Sequence, residues 1–337
     1  MEVRDLMDNR LVKALWFGVS TAILGFVIYL ADISLFMSAL ASADIFYLLP
    51  ALVFGLLPFA VYGFTWYRFL NRVGENISYP KSVRMLFGGQ FMNAITPVGQ
   101  FGGEPFMAYV IKENTDLKYE EAFSTVLSAD IVNAIPTFTF VAGGAIYLLF
   151  LGGLQDFLLQ LLALTGLVLV LGGSIAYVLW FKSGTIEGAI LRIIRLIVDL
   201  TGRGENVYIG VQERFRGVQD AFETIGGDPK YLVLTAVIIH TEFILRVICL
   251  YLVLASLGIS SDLTPIYFVL AFAGIANFAP TPGGSGAYEV TQGGLISLFI
   301  GVDLATAIAA SVLFRLTNYW ASMIIGYVSL LTLRGGK

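Results

Sequence analysis

Five long apolar runs decide what this chain can fold into. They cover 11–30, 45–66, 123–151, 157–181 and 231–257. A helix that crosses the hydrocarbon core of a bilayer needs about 20 mostly apolar residues. Only helices and closed barrels satisfy their backbone in lipid. A barrel would read as short segments of alternating polarity, and the sequence has no such pattern. Charged residues make up only 13% of the 337-residue chain and apolar residues 57%, against about 25% charged in a soluble domain. The expected fold class is all-α and polytopic, with 1–337 forming a single transmembrane domain.

Composition narrows the chemistry further. The sole cysteine, Cys249, lies inside an apolar run, and the sole histidine is His240. An internal disulfide and a His/Cys metal site are therefore excluded, and no cofactor is expected. A net charge of −4 argues against a nucleic-acid partner. The N-terminus carries Arg4, Arg10 and Lys13 ahead of its apolar run, and Ala41-Ser42-Ala43 follows at a distance. That run is longer than the apolar core of a signal peptide, and the small-residue site lies too far beyond it. The segment reads as a retained first helix.

Six full spans are expected, at 11–31, 45–68, 121–151, 157–181, 230–256 and 303–333. Two further stretches, 83–111 and 265–300, each hold two runs too short to cross. The breaks are Thr96-Pro97-Val98-Gly99-Gln100-Phe101-Gly102-Gly103 and Pro280-Thr281-Pro282-Gly283-Gly284-Ser285-Gly286. Proline and glycine clusters end helices, and irregular backbone at membrane depth must be buried in protein or line a cavity. Each stretch reads as a re-entrant hairpin. With the N-terminus inside, every basic residue except Arg246 and Arg315 falls in an inside segment, whereas the outside loops carry only Asp32, Asp44, Asp156, Asp262 and Asp303. The positive-inside rule then puts both termini in the cytoplasm of a multi-pass cell-membrane protein. The first hairpin enters from inside and the second from outside.

The hairpins also align with each other at a fixed offset of 185 residues. Thr96 matches Thr281, Pro97 matches Pro282, Gly99 matches Gly284 and Glu104 matches Glu289. Further on, Ala122 matches Ala307, Asp130 meets Arg315, and Asn133 matches Asn318. Ionisable residues are rare inside membranes, so this register is informative. The chain divides into two inverted-topology repeats, 1–151 and 152–337. The second carries a cytoplasmic amphipathic linker at 182–229, apolar at 186, 189, 190, 193, 194, 197 and 198. Inverted repeats with broken helices and a midplane site are a transporter architecture.

The second arm of each hairpin begins near Gly99, Gly102, Gly103 and Glu104, or near Gly284, Ser285, Gly286 and Glu289. A helix N-terminus offers free N–H groups to an anion, and glycines equally permit tight helix packing. Glu104 and Glu289 either cap these arms or serve as coupling sites for a proton or cation. Asp130 and Arg315 either form an ion pair across the pseudo-twofold axis, or Arg315 holds a phosphate in one state and pairs with Asp130 in the other. Glu242 and Arg246 are four apart and can pair on one helix face; alternatively, Arg246 faces a cavity that accepts a lipid headgroup. No nucleophile, base and orienting group form a set, so no enzymatic activity is expected.

The run Gly88-Gly89-Gln90-Phe91-Met92-Asn93-Ala94-Ile95-Thr96-Pro97, with Gly102-Gly103-Glu104-Pro105, resembles the first motif of the lysylphosphatidylglycerol synthase/flippase transmembrane family. Pro280-Thr281-Pro282-Gly283-Gly284-Ser285-Gly286-Ala287-Tyr288-Glu289, followed by Arg315, is similar to its second motif. The resemblance covers nearly the whole chain. It implies a flippase-like membrane domain that moves a lipid between leaflets. In the best-known members that lipid is aminoacylated phosphatidylglycerol, and a separate cytosolic domain makes it. The chain ends at Lys337 without such a domain, which implies a stand-alone member with a separate lipid-modifying enzyme as a possible partner. Where members often carry an arginine in the third helix, this chain has Asp130. The reading is a translocase of an anionic phospholipid or polyprenyl-phosphate-linked lipid, possible as a homo-oligomer. The alternatives are an ion-coupled secondary transporter of a small anionic solute and a membrane enzyme acting on lipid phosphates.

Overall fold

The computed structural model describes residues 33–94, 103–151, 223–274 and 286–334, together with Gly166, Val170, Ser174, Ala276 and Gly284. The described residues are helical, without a strand. In chain order the helices are α1 (Ile33–Ser42), α2 (Ile45–Arg72), α3 (Tyr79–Ala94), α4 (Glu104–Lys112), α5 (Tyr119–Leu151), α6 (Pro229–Ile239), α7 (Thr241–Ser256), α8 (Leu263–Ala273), α9 (Ala287–Ile300), α10 (Leu304–Arg315) and α11 (Ala321–Arg334). A single π-turn, Leu316–Trp320, joins α10 to α11.

Four helical segments are long and apolar enough to cross a membrane: Ile45–Arg72, Tyr119–Tyr147, Pro229–Ser256 and Leu304–Leu333. At 1.5 Å per residue, 28 residues reach about 42 Å, more than the ~30 Å hydrocarbon core. These are four of the six spans read from the sequence. Of the other two, 11–31 lies outside the described residues and 157–181 is described only at Gly166, Val170 and Ser174; the breaks at 95–102 and 275–285 lie outside them except for Ala276 and Gly284, as does the linker up to 222. The protein is an all-helical, multi-pass membrane protein. Its greasy exterior fits that solvent: Phe46 is 80% exposed and Ile324 69%.

Aspartates set where the helices start. Asp44 accepts from the Phe46 amide at 2.8 Å, Asp228 from Lys230 and Tyr231, and Asp303 from Thr306 at 2.9 Å. Each side chain satisfies an amide that the first helical turn would otherwise leave unpaired. At the other end of α9, Gly301 supplies the left-handed residue that closes the helix, with φ +81°. The sequence did not predict α1, which occupies what reads as an outside loop. Its Ala39 packs on Ala305, Ile308 and Ala309 of α10.

At the centre, α2 runs along α7, its equivalent helix. The pair α3 on α11 has its counterpart in α8 on α5, and α4 on α5 in α9 on α10. The arms of each apolar hairpin pack on each other, α3 on α4 and α8 on α9. Two cores result. One is built from α2 to α5 and borrows Ile225 and Ile239. The other is built from α7 to α10 and borrows Ala51 and Val141. Glycine permits the closest approaches between helices. A Cβ on Gly55 of α2 would lie 2.5 Å from the Thr317 carbonyl oxygen, and one on Gly326 of α11 would strike the Phe87 carbonyl of α3.

Candidate functional site

The N-terminus of α9 organises the first cluster. Gly286 adopts φ +82°, a conformation that costs glycine nothing. Glu289, one turn on, reaches back so that its Oε2 accepts the Gly286 amide at 2.6 Å. Its other oxygen, Oε1, lies 3.2 Å from Arg315 Nε on α10. Both side chains are buried, at 4% and 6% exposure. The guanidinium is flanked by two aromatic faces, with its carbon 3.9 Å from the Tyr319 ring centre and 4.9 Å from that of Tyr288. Such faces attract a cation. The chain continues from Ser311, whose hydroxyl donates to Gln292 Oε1 at 2.7 Å, to Gln292 Nε2, which donates to the Tyr288 hydroxyl at 3.4 Å.

A second cation lies nearby on α7. Arg246 pairs with Glu242 at 3.6 Å, and the two differ sharply in access: the arginine side chain is 39% exposed, the glutamate 8%.

The third cluster belongs to the first half. The Tyr62 hydroxyl on α2 donates to Asp130 on α5. Asp130 is enclosed by protein yet keeps some accessible surface. Half-buried Glu104 lies in the first turn of α4. At Gly103, which caps α4, a Cβ would collide with the Asn93 side chain of α3. That glycine is needed for the two arms to close on each other.

Two sequence expectations need correction. Arg315 and Asp130 form no pair across the axis. Arg315 meets Glu289 of α9, while Asp130 takes Tyr62 of α2. Nor is the Gly286 amide free for an anion, since the Glu289 carboxylate already occupies it. The expected local pair of Glu242 and Arg246 is present, and Glu289 both caps its arm and binds Arg315. Gly284 has φ +69°, in keeping with a sharp break. Gly99, Gly102 and Ser285 lie outside the described residues. No group of three metal-ligating side chains occurs among the described residues.

Sequence reasoning missed Tyr62, Tyr288, Tyr319, Gln292 and Ser311. Tyr288 was adjacent to a flagged glutamate, and Tyr319 follows Arg315 by one helical turn, a spacing that places both on one face. Tyr62 left no signal, because an aromatic residue in an apolar run reads as core.

Comparison with known proteins agrees with this architecture. The chain is similar to the UPF0104 membrane protein PH1989 of Pyrococcus horikoshii, with 24% identity over 312 residues covering 90% of this chain and 92% of that protein. A UPF0104 membrane protein of Methanothermobacter thermautotrophicus is 24% identical over 334 residues, 96% of this chain and 94% of its own. The UPF0104 membrane protein MJ1595 of Methanocaldococcus jannaschii is 21% identical, covering 86% and 85% respectively. The profile of the lysylphosphatidylglycerol synthase TM region matches residues 14–326, and the chain belongs to that family.

Proposed function

We propose that this protein is a lipid translocase that moves anionic lipids between leaflets by alternating access of two inverted halves, with both termini in the cytoplasm. The observation that carries the reading is Arg246. It is a cation on a membrane-spanning helix, open to its surroundings and held by one carboxylate. An intramembrane charge is costly and marks a functional pathway. A phosphate that arrives beside Arg246 replaces Glu242 as its partner and gains charge-assisted hydrogen bonds. Arg315, buried between Glu289 and two tyrosines, holds the hairpin in place and is not the group that receives the headgroup.

The packing supports alternating access. Each hairpin is seated against the last span of the opposite half, α3 on α11 and α8 on α5. A rigid shift of one half therefore moves both hairpins in opposite senses about the α2–α7 crossing. In a re-entrant arrangement the two hairpins would open towards opposite faces.

The test is exchange of tail-labelled fluorescent phosphatidylglycerol in proteoliposomes, read by an impermeant quencher. The wild-type protein should expose the inner-leaflet probe, and Arg246→Gln should slow this at least about tenfold, the equivalent of one charge-assisted hydrogen bond. Labelled phosphatidylcholine should move little. Uptake of a water-soluble organic phosphate with no lipid exchange would replace the reading by a solute carrier.

A further inference from the structure

Packed cores shift as units more readily than they deform, and all four described spans run from one core into the other. In α2, Leu48, Ala51 and Phe54 belong to the core of α7–α10, whereas Phe59, Tyr62 and Trp66 belong to that of α2–α5. In α5 the change falls between Ile135 and Val141. In the span made of α6 and α7 it falls between Ile239 and Phe243, and in the last span between Phe314 and Leu330.

Each change of core coincides with an interruption of the helix. Pro58 lies between Phe54 and Phe59, and Pro136 follows Ile135. A proline cannot donate to the carbonyl four residues earlier, here Phe54 and Val132, and helices bend at such points. His240 separates α6 from α7, and the Phe243 amide bonds only three residues back, to the His240 carbonyl. The π-turn Leu316–Trp320 begins two residues after Phe314. Pro50, by contrast, sits in the second turn of α2, outside the passage between cores. Two of the interruptions touch. The Thr139 hydroxyl donates to the Pro136 carbonyl at 3.0 Å, and the same oxygen lies 2.8 Å from His240 Nε2. The polar groups of the site stand beside the interruptions. Arg315 immediately precedes the π-turn, Glu242 opens the helix after His240, and Tyr62 follows Pro58 by one helical turn.

We infer that Pro58, Pro136, His240 and the π-turn are hinges on which the core of α2–α5 turns against that of α7–α10. Interruptions that only relieved local packing could fall anywhere along a span. These fall where a relative movement of the two cores would bend each span. Their role in transport rests on the alternating access proposed above; the bending itself does not. An anion that displaces Glu242 from Arg246 frees a side chain in the first turn beyond the His240 joint, which ties binding to the bend.

The test compares alanine with glycine at the two prolines, with Cys249 replaced by alanine throughout. Both substitutions remove the ring, but alanine stiffens the helix whereas glycine leaves the backbone free to bend. Spin labels on cysteines at Asn76 and Ser260, exposed residues after α2 and after α7, report on opposite cores. Labels at Arg84 and Lys230, exposed on α3 and α6, both ride on the core of α2–α5. In phosphatidylglycerol nanodiscs, pulsed electron–electron measurements between Asn76 and Ser260 should show two separations in the Cys249→Ala parent. Pro58→Ala combined with Pro136→Ala should collapse these to one, and the two glycine substitutions should keep both. The separation between Arg84 and Lys230 should be the same in every variant. Exchange of labelled phosphatidylglycerol in proteoliposomes should fall at least about threefold with alanine and stay near the parent rate with glycine. A single separation in the parent, equal distributions with alanine and glycine, or an equally large change between Arg84 and Lys230 would overturn the hinges. Two separations that collapse with alanine, in a protein that exchanges no lipid, would leave the hinges standing and end the transport reading.

Discussion

Arg315 Nε lies 3.2 Å from Glu289 Oε1 across 26 residues of sequence, and the same carboxylate holds the Gly286 amide. One acidic group therefore closes the N-terminus of α9 and ties it to α10. Removing one member strands the other in an apolar interior, which costs about 3–5 kcal/mol. Glu289→Gln should therefore lower the thermal unfolding midpoint of detergent-purified protein more than Glu289→Gln combined with Arg315→Gln. Equal or greater damage in the double variant would mean that the two residues act separately.

Two glycines should respond to alanine with opposite signs. At Gly55 the added methyl meets the Thr317 backbone at 2.5 Å, and separating the helices should cost about 1–3 kcal/mol. At Gly294 of α9 nothing lies within 4 Å. Alanine there should gain up to about 1 kcal/mol by restricting the unfolded chain. Thermal shifts of the two variants, measured side by side, check this.

Much of the fold was legible because lipid imposes a single rule on long apolar segments. Residues 45–68, 121–151, 230–256 and 303–333 matched helices for that reason. The site was less legible, because charge position along a sequence does not give its direction around a helix. Asp130 and Arg315 suggested a mutual pair, yet Asp130 takes Tyr62 of α2 and Arg315 takes Glu289 of α9. The break in the span 230–256 at His240, and the short helix α1, follow from tertiary contacts with Thr139 and α10 that no local pattern announces.

Asp303 offers a test outside the membrane. Partial burial opposes its ionisation, but the Thr306 amide and hydroxyl outweigh this and hold its carboxyl below the ordinary value. A lowered value in the folded state contributes stability above the unfolded group's titration range, and that contribution is lost as pH falls through the folded value. Asp303→Ala should cost about 1 kcal/mol at neutral pH, and Asp303→Asn less. The gap between Asp303→Ala and wild type should narrow in acid.

The proposed inverted topology predicts sidedness. Asn76, after α2, and Ser260, after α7, are exposed turn residues close to equivalent positions. With Cys249 replaced by alanine, a cysteine at Asn76 should react with an impermeant maleimide from the cytoplasmic face, and one at Ser260 from the external face. Reaction of both from one face would rule out inverted topology.

The π-turn at Leu316–Trp320 takes up one residue more than an α-turn. At 3.6 residues per turn, one added residue swings everything beyond it through about 100°. Before the turn, the last span presents Arg315 to α9; after it, the same span presents Gly326 to α3. The helix thus works like a crankshaft, with two throws set at an angle by a single inserted residue. A rotation of this one shaft would reach both hairpins in the same stroke, with the angle between them fixed by the chain.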